Sequence, residues 1–393
     1  MEANTGINSV GVQEGDVALS EGVLITSLSI ENWRGIRRLE KPLKLKRFNI
    51  LVGRNNTGKT SILEALALLP HPQLKRLYLR KIKGIEPTIE DYLAKTHWGI
   101  RSLMYKYANK VSINYTLNDE KPCTIKIVLD GKWDVKIRVD KDEFNVSITD
   151  KGKIELTREF EMKKTKVEIS LRSSVLETIT DILDSLEQKK QENAFNILRS
   201  VVVLFVPFDR LFYNGVIDFF DDVEVWSVVE AKGIHRRVVE ELVNPVVDDV
   251  FTELHLGRRG VEIRREDGTW IHVKDLGSGI QRVIVMALLV EYVNPRLVAI
   301  DDVEVAMHPG LLKYFLGWLY DKGIQVVLST HSRDVIEVFN ELELAPDEAQ
   351  VMVLFKGKDD TIRARYIDPD ELNEMIEHGV DLRKALNLLE PSI

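Results

Sequence analysis

The chain has almost no cysteine, few aromatics and no surplus of positive charge. Cys123 is the one cysteine in 393 residues. A single thiol excludes an intrachain disulfide and any zinc site built on cysteines, and it fits a reducing compartment. Lys and Arg number 54 against 62 Asp and Glu, a net charge of −8. The mean field therefore does not attract nucleic acid, and any phosphodiester contact must come from a local patch. No apolar run approaches the ~20 residues that a bilayer span needs, so no membrane partner is expected. Residues 1–22 lack a basic segment followed by an apolar one and do not read as a signal peptide. They are expected to be a flexible N-terminus, and the chain to be cytoplasmic. What remains is 44% hydrophobic and 30% charged, a composition that suits one large or two to three smaller globular domains.

Against that background one octapeptide stands out. Gly53-Arg54-Asn55-Asn56-Thr57-Gly58-Lys59-Thr60 fits G-x-x-x-x-G-K-[ST], the loop whose backbone N–H groups cradle phosphates. Phe48–Val52 before it reads as a short buried strand, and Ser61–Leu69 after it as a helix. In that context the helix N-terminus adds positive potential to the cradle. Gly53, Asn55, Asn56, Thr57, Gly58 and Ser61 would form the cradle. Lys59 would reach the β and γ phosphates of ATP, and Thr60 would ligate Mg²⁺.

The rest of the pattern frames this loop. Residues 23–30 alternate as a strand, and Leu39–Leu45 reads as its hairpin partner. Helical texture is expected over about 60–110, broken near Pro70-His71-Pro72 and Gly84. Short alternating runs separated by Asn118-Asp119, Asp130-Gly131 and Asp150-Lys151-Gly152 then predict an antiparallel meander over 111–167, as an insertion or side sheet. Leu171–Arg199 has helical spacing without sustained heptads. Val201–Val206 is a fully apolar strand ended by Pro207. Residues 217–256 read as one or two helices interrupted near Gly233 and Pro245, followed by a hairpin around Asp267-Gly268. Later segments alternate strand and helix up to a last hairpin, Gln350–Phe355 with Thr361–Tyr366. The predicted fold class is α/β, a P-loop head with a mixed central sheet, an antiparallel side sheet and a helical insertion. Its expected parts are 23–110 and 201–345 as the two halves of the head, 111–200 as the insertion, and 346–393 as a C-terminal hairpin and helix.

A phosphate loop that hydrolyses nucleotide needs an acid on a neighbouring strand tip. Leu297–Ile300 is a buried strand ending in Asp301-Asp302. Asp301 would hold the Mg²⁺ shell, and Asp302 would orient the attacking water. The next apolar strand ends in Ser329-Thr330-His331-Ser332, where His331 could sense the γ-phosphate. Gly277, Ser278 and Gly279 open a second helix whose N-terminus could bind phosphate. One chain cannot easily close both loops on one nucleotide, whereas two chains facing head to tail can.

The order Asn32-Trp33-Arg34-Gly35-Ile36, phosphate loop, Leu276-Gly277-Ser278-Gly279-Ile280-Gln281-Arg282, Asp301-Asp302, Glu304-x-x-x-His308-Pro309 and Thr330-His331-Ser332 resembles ABC-type ATPases of the SMC, RecF and OLD group. It looks closest to the compact RecF-like or OLD-like AAA ATPases. The resemblance covers about residues 23–85 and 200–345. It implies an ATP-dependent homodimer, with Arg34 contacting nucleotide, Gly277–Gly279 as the signature, Asp302 in the catalytic carboxylate position and His331 as the switch histidine. Where the group has Asp-Glu or Glu-Glu followed by Pro, this chain has Asp301-Asp302-Val303. The shorter acid implies slow hydrolysis, in which Glu304 could assist. No glutamine is recognisable as the Q-loop residue. A Toprim nuclease site does not fit after His331, so a nuclease or other effector would be a separate subunit.

Lys75-Arg76, Arg80-Lys81 and Lys83 form the best basic cluster, with Arg236-Arg237 and Arg258-Arg259 as smaller ones. Each reads either as a solvated face or as a contact to DNA backbone. His71 and His97 have no partners at metal spacing, so no protein-built metal site is expected.

Overall fold

The structure, a computed structural model, describes residues 24–70, 89–118, 123–139, 142–148, 153–160, 163–170 and 201–385. The flexible N-terminus, the helix over 171–199, His71 and the basic cluster at 75–83 lie outside the described residues.

Strands β1 (Ile25–Trp33), β2 (Ile36–Leu39), β3 (Leu43–Lys44) and β4 (Phe48–Gly53) lead into helix α1 (Lys59–Ala67). After α2 (Ile89–Thr96) come β5 (Val111–Leu117), β6 (Cys123–Asp130), β7 (Lys132–Val139), β8 (Asp142–Ile148), β9 (Lys153–Phe160) and β10 (Lys163–Ser170). Strand β11 (Val203–Val206) is followed by α3 (Arg210–Phe220), α4 (Val223–Ala231) and α5 (Ile234–Val238). Next are β12 (Phe251–Gly257), β13 (Gly260–Arg265), β14 (Trp270–His272) and α6 (Ser278–Val293). The chain continues with β15 (Leu297–Ile300), α7 (Pro309–Asp321), β16 (Gln325–Ser329) and α8 (Arg333–Glu341). It closes with β17 (Ala349–Lys356), β18 (Thr361–Ile367) and α9 (Pro369–Glu377).

One mixed sheet runs in the order β10-β9-β8-β7-β6-β5-β1-β2-β18-β17-β4-β16-β15-β11, with β3 beside β1. Its centre is parallel: β17, β4, β16, β15 and β11 pair in succession. Such strands are buried on both faces and therefore read as continuous apolar runs. Phe48, Ile50 and Val52 of β4 face the core that includes α6, α7 and α8. Leu51 faces the other core, with Ile62, Leu63 and Leu66 of α1. The alternation continues in β15, where Val298 and Ile300 join the first core and Leu297 and Ala299 the second.

The elements depart from the sequence reading in four places. The meander over 111–170 does not stand apart: β5 pairs antiparallel with β1, so the meander extends the central sheet. The separate antiparallel sheet is β12-β13-β14. Phe251–Gly257, expected to be helical, is the first strand of that sheet; a bulge between Phe251 and Glu253 lets Phe251 and Leu254, three apart as on a helix, both reach one core. The segment Leu39–Leu45 splits into the end of β2 and β3, since Pro42 cannot donate to a ladder. Helix over 60–110 reduces, among the described residues, to α1, α2 and two 3₁₀ turns.

The end of the sheet remote from the phosphate loop is tied by buried amides. Gln325 is fully buried; its Oε1 accepts from the N–H of Leu24 (3.1 Å) and Ile25 (2.9 Å). Its Nε2 donates to the carbonyls of Ile25 (2.8 Å) and Lys46 (2.9 Å), so all four capacities are used. Replacing Gln325 with Leu strands several backbone groups at about 1–3 kcal/mol each. A Gln325→Leu chain is expected to lose at least about 2 kcal/mol, read as a lower urea midpoint with an unchanged slope.

Candidate nucleotide site

Gly58 adopts φ 91°, a left-handed conformation that turns the chain from loop into α1. No side chain caps the helix there, so the first-turn N–H groups point at whatever fills the loop. Lys59 is buried, and its ammonium donates to the carbonyls of Gly53 (3.0 Å) and Arg54 (3.3 Å). Burial pushes its pKa down, while Asp302, Asp301 and Glu304 pull it back up. Thr57 donates to the Arg54 carbonyl at 2.8 Å and stiffens the loop.

The strand order puts β16 between β4 and β15. Thr60 nevertheless reaches across to Asp301, its hydroxyl lying 3.0 Å from Oδ2 and 3.2 Å from Oδ1. Ser329, at the tip of the intervening strand, donates to Asp301 Oδ1 at 2.6 Å and accepts from the Asp302 N–H at 2.9 Å. Burial raises the Asp301 pKa, and the two hydroxyls oppose that rise. A carboxylate and a hydroxyl at this depth are hard oxygen donors of the kind Mg²⁺ takes. Together with an uncapped helix terminus and a buried ammonium, they fit a magnesium–nucleotide group.

Asp302 sits in a left-handed conformation, φ 45°. Arg282 grips this turn from α6: its guanidinium is 3.4 Å from the Asp301 carbonyl and 3.1 Å from that of Asp302, and it lies 4.8 Å from the Tyr213 ring. Glu304 accepts from the His331 N–H at 2.8 Å, and its second oxygen is buried without a partner. Arg383 donates to the His331 carbonyl at 3.2 Å. Asp301, Asp302, Glu304 and His331 thus lie around the end of α1.

The other expected residues have different surroundings. Gly277 and Ser278 are exposed at the uncapped N-terminus of α6. Among the described residues no hydrogen bond joins Gly277, Ser278 or Gly279 to residues 53–61 of the same chain. Gly279 is required for packing, because a Cβ there would lie 2.5 Å from the Ala306 carbonyl oxygen. Arg34 is ion-paired with buried Glu64 of α1, which also meets His97 at 3.1 Å, and the next residue, Gly35, lies against Asn56 of the loop. Ser329 and Arg282 were within recognised strings but had no role from sequence; a hydroxyl directly before Thr330-His331 was the available signal. Among the described residues no cluster of His, Cys, Asp and Glu could hold a metal unaided, and no helix is long and apolar enough to cross a membrane.

Comparison with known proteins places this geometry in a class. The model for "AAA ATPase domain" matches residues 24–202. The model described as "AAA domain, putative AbiEii toxin, Type IV TA system" matches residues 138–337, half of the chain. The chain belongs to this AAA family, as an SMC/RecF-like ABC-type ATPase. It is 23% identical over 363 residues to the DNA replication and repair protein RecF of Rickettsia prowazekii, covering 81% of this chain and 97% of that protein. An uncharacterized protein of Methanocaldococcus jannaschii is 53% identical over 106 residues, 26% of this chain and 47% of the other. The SMC head bound to the C-winged helix domain of ScpA shares the fold, with a TM-score of 0.51 and 11% identity over 88% of this chain and 99% of that one.

Removing the bridging hydroxyl tests the geometry. Ser329→Ala leaves Asp301 short of one donor and the Asp302 N–H without its acceptor. It is expected to weaken magnesium-dependent binding of a fluorescent ATP analogue about tenfold, near the worth of one hydrogen bond to a charged group.

Proposed function

We propose that the chain binds ATP with Mg²⁺ at Gly53–Ser61, hydrolyses it slowly, and pairs head to tail with a second copy in the service of DNA maintenance. The contact of Thr60 with Asp301 across an intervening strand carries this reading. Mg²⁺, held by Thr60 and Asp301, would neutralise charge that develops on the phosphates. The Lys59 ammonium would exchange its two carbonyl partners for β and γ phosphate oxygens. Asp302 would orient the attacking water. Glu304, one oxygen engaged by the His331 N–H, would set the position of the switch histidine and is the second candidate to accept a proton. The exposed N–H groups and hydroxyl at Gly277–Gly279 would complete the site of the facing copy. Likeness to RecF over nearly its whole length supports the DNA setting.

A second reading has support of its own. The short Asp302 and the engaged Glu304 both favour slow turnover, and half of the chain matches a model whose description names a toxin–antitoxin system. On that reading the chain senses ATP and gates a separate nuclease or toxin subunit.

Phosphate release and light scattering separate these outcomes. Lys59→Ala is expected to abolish both turnover and ATP-driven dimerisation; retention of both would sink the proposal. Ser278→Arg should keep ATP binding but block the dimer. Asp302→Asn should hold the ATP dimer while turnover falls at least about a hundredfold, within the usual worth of a general base. Wild-type turnover well above about one per second, near the low end of ordinary enzymes, would count against the ATP-sensor reading.

A further inference from the structure

Acids make up 62 of the 393 residues, yet none stands between Asp91 and Asp119. That interval carries Lys95, Arg101, Lys106 and Lys110 together with Trp98, Tyr105 and Tyr107. Its central part is the connection from α2 to β5, built of two 3₁₀ turns, Ile100–Leu103 and Tyr105–Tyr107. Leu103 anchors this connection in the core, but two of its aromatic rings stay in solvent: Trp98 is 99% exposed and Tyr107 75%. Trp98, Lys106 and Tyr107 take φ values of 65°, 45° and 58°. Left-handed backbone is unfavourable for bulky residues.

Exposed Glu31, level with Ser112, and Asp130, next to the Leu129 that pairs with Val111, border the Lys110 end. The two acids of the nearby β17–β18 turn are already matched. Asp360 meets Lys106 at 3.1 Å and Lys356 at 3.0 Å and accepts from the Tyr105 hydroxyl at 2.8 Å. Asp359 meets Arg37 at 3.5 Å. Arg101 and Lys110 are exposed and meet no carboxylate among the described residues. Cations beside outward aromatic rings suit a flexible polyanion with open π faces. Unpaired bases can stack on such rings, whereas a closed duplex hides its base faces.

We propose that Trp98, Arg101, Lys106, Tyr107 and Lys110 form a binding surface for single-stranded DNA. The cations follow the phosphates, and the two rings lie against unpaired bases. Only the choice of DNA over RNA rests on the function proposed above. The surface adjoins the nucleotide loop. Leu103 accepts the Arg34 N–H at 2.7 Å, and Asp360, the partner of Lys106, lines a cavity of about 380 Å³ that Arg54–Thr57 also line.

The test is fluorescence anisotropy on the full chain with a labelled oligo-dT, a duplex of equal length and an RNA oligomer, without nucleotide and over a salt series. The oligo-dT should bind more tightly than the duplex. The double variant Arg101→Glu with Lys110→Glu should weaken that binding about tenfold or more and flatten its log–log salt slope by about one unit or more. Trp98→Ala should weaken oligo-dT binding about fivefold or more while duplex binding and the thermal midpoint stay as in wild type. Variants that bind like wild type, or a wild type that prefers duplex or fails to bind oligo-dT, would overturn the proposal; preference for RNA would overturn the choice of DNA. Lys59→Ala should bind oligo-dT normally without nucleotide. If turnover is absent but the oligomer binds as described, the ATPase reading falls and this surface stands.

Discussion

Everything at the candidate site depends on the parallel register of β4, β16 and β15. Ile50 lies level with Leu328, and Leu328 level with Ile300, so the three strands end on one line. The loop, Ser329 and Asp301 sit at the three strand ends along that line. Because β16 lies in the middle, the hydroxyl at its tip can hold the far carboxylate and the backbone of the next residue at once. A slip of one residue in either ladder would turn the strand inside out, exchanging the two cores. The register that buries Val326 and Leu328 on one side and Val327 on the other therefore also sets the distance from Thr60 to Asp301. Core packing and site geometry are one constraint.

That is why so much of the site was legible. A strand buried on both faces reads as a continuous apolar run, and Ile50–Val52, Leu297–Ile300 and Val326–Leu328 are such runs, preceded in two cases by a buried amide (Asn49, Gln325) and each followed by the loop or by polar residues. The residues of the candidate site sit at those ends. Ser329 was harder to assign because its role is relational: one hydroxyl between two groups contributed by a different strand. Arg282 was invisible as a site residue for the same reason. Its partners are backbone carbonyls about a strand and a turn further along, which no spacing rule marks.

The misread elements share a physical cause. Phe251–Gly257 has two inward apolar side chains and an otherwise polar sequence, so local spacing could not separate a short edge strand from a helix end. The partners that decide it, Ile263 and Ile271, come later in the chain. The meander over 111–170 was read correctly as strands, but its attachment was not. Pairing of β5 with β1 joins Ile30 to Ile113, a long-range contact with no local signature.

The helix that opens at Ser278 links two surfaces that would otherwise be independent. Gly277 and Ser278 at its start are exposed, and no side chain caps it. One turn further on, buried Arg282 holds the carbonyls of Asp301 and Asp302, and Gly279 packs on Ala306 in the same turn. A guanidinium in this setting is costly to bury without partners, and its Nε has none. The carbonyls it does hold are therefore hard to release. Any displacement of α6 by a ligand at its N-terminus would carry Arg282 with it and move the backbone from which Asp302 projects. The short acid at 302 need not be a defect in that arrangement. Its reach is set by the turn, and the turn is held by Arg282 of α6.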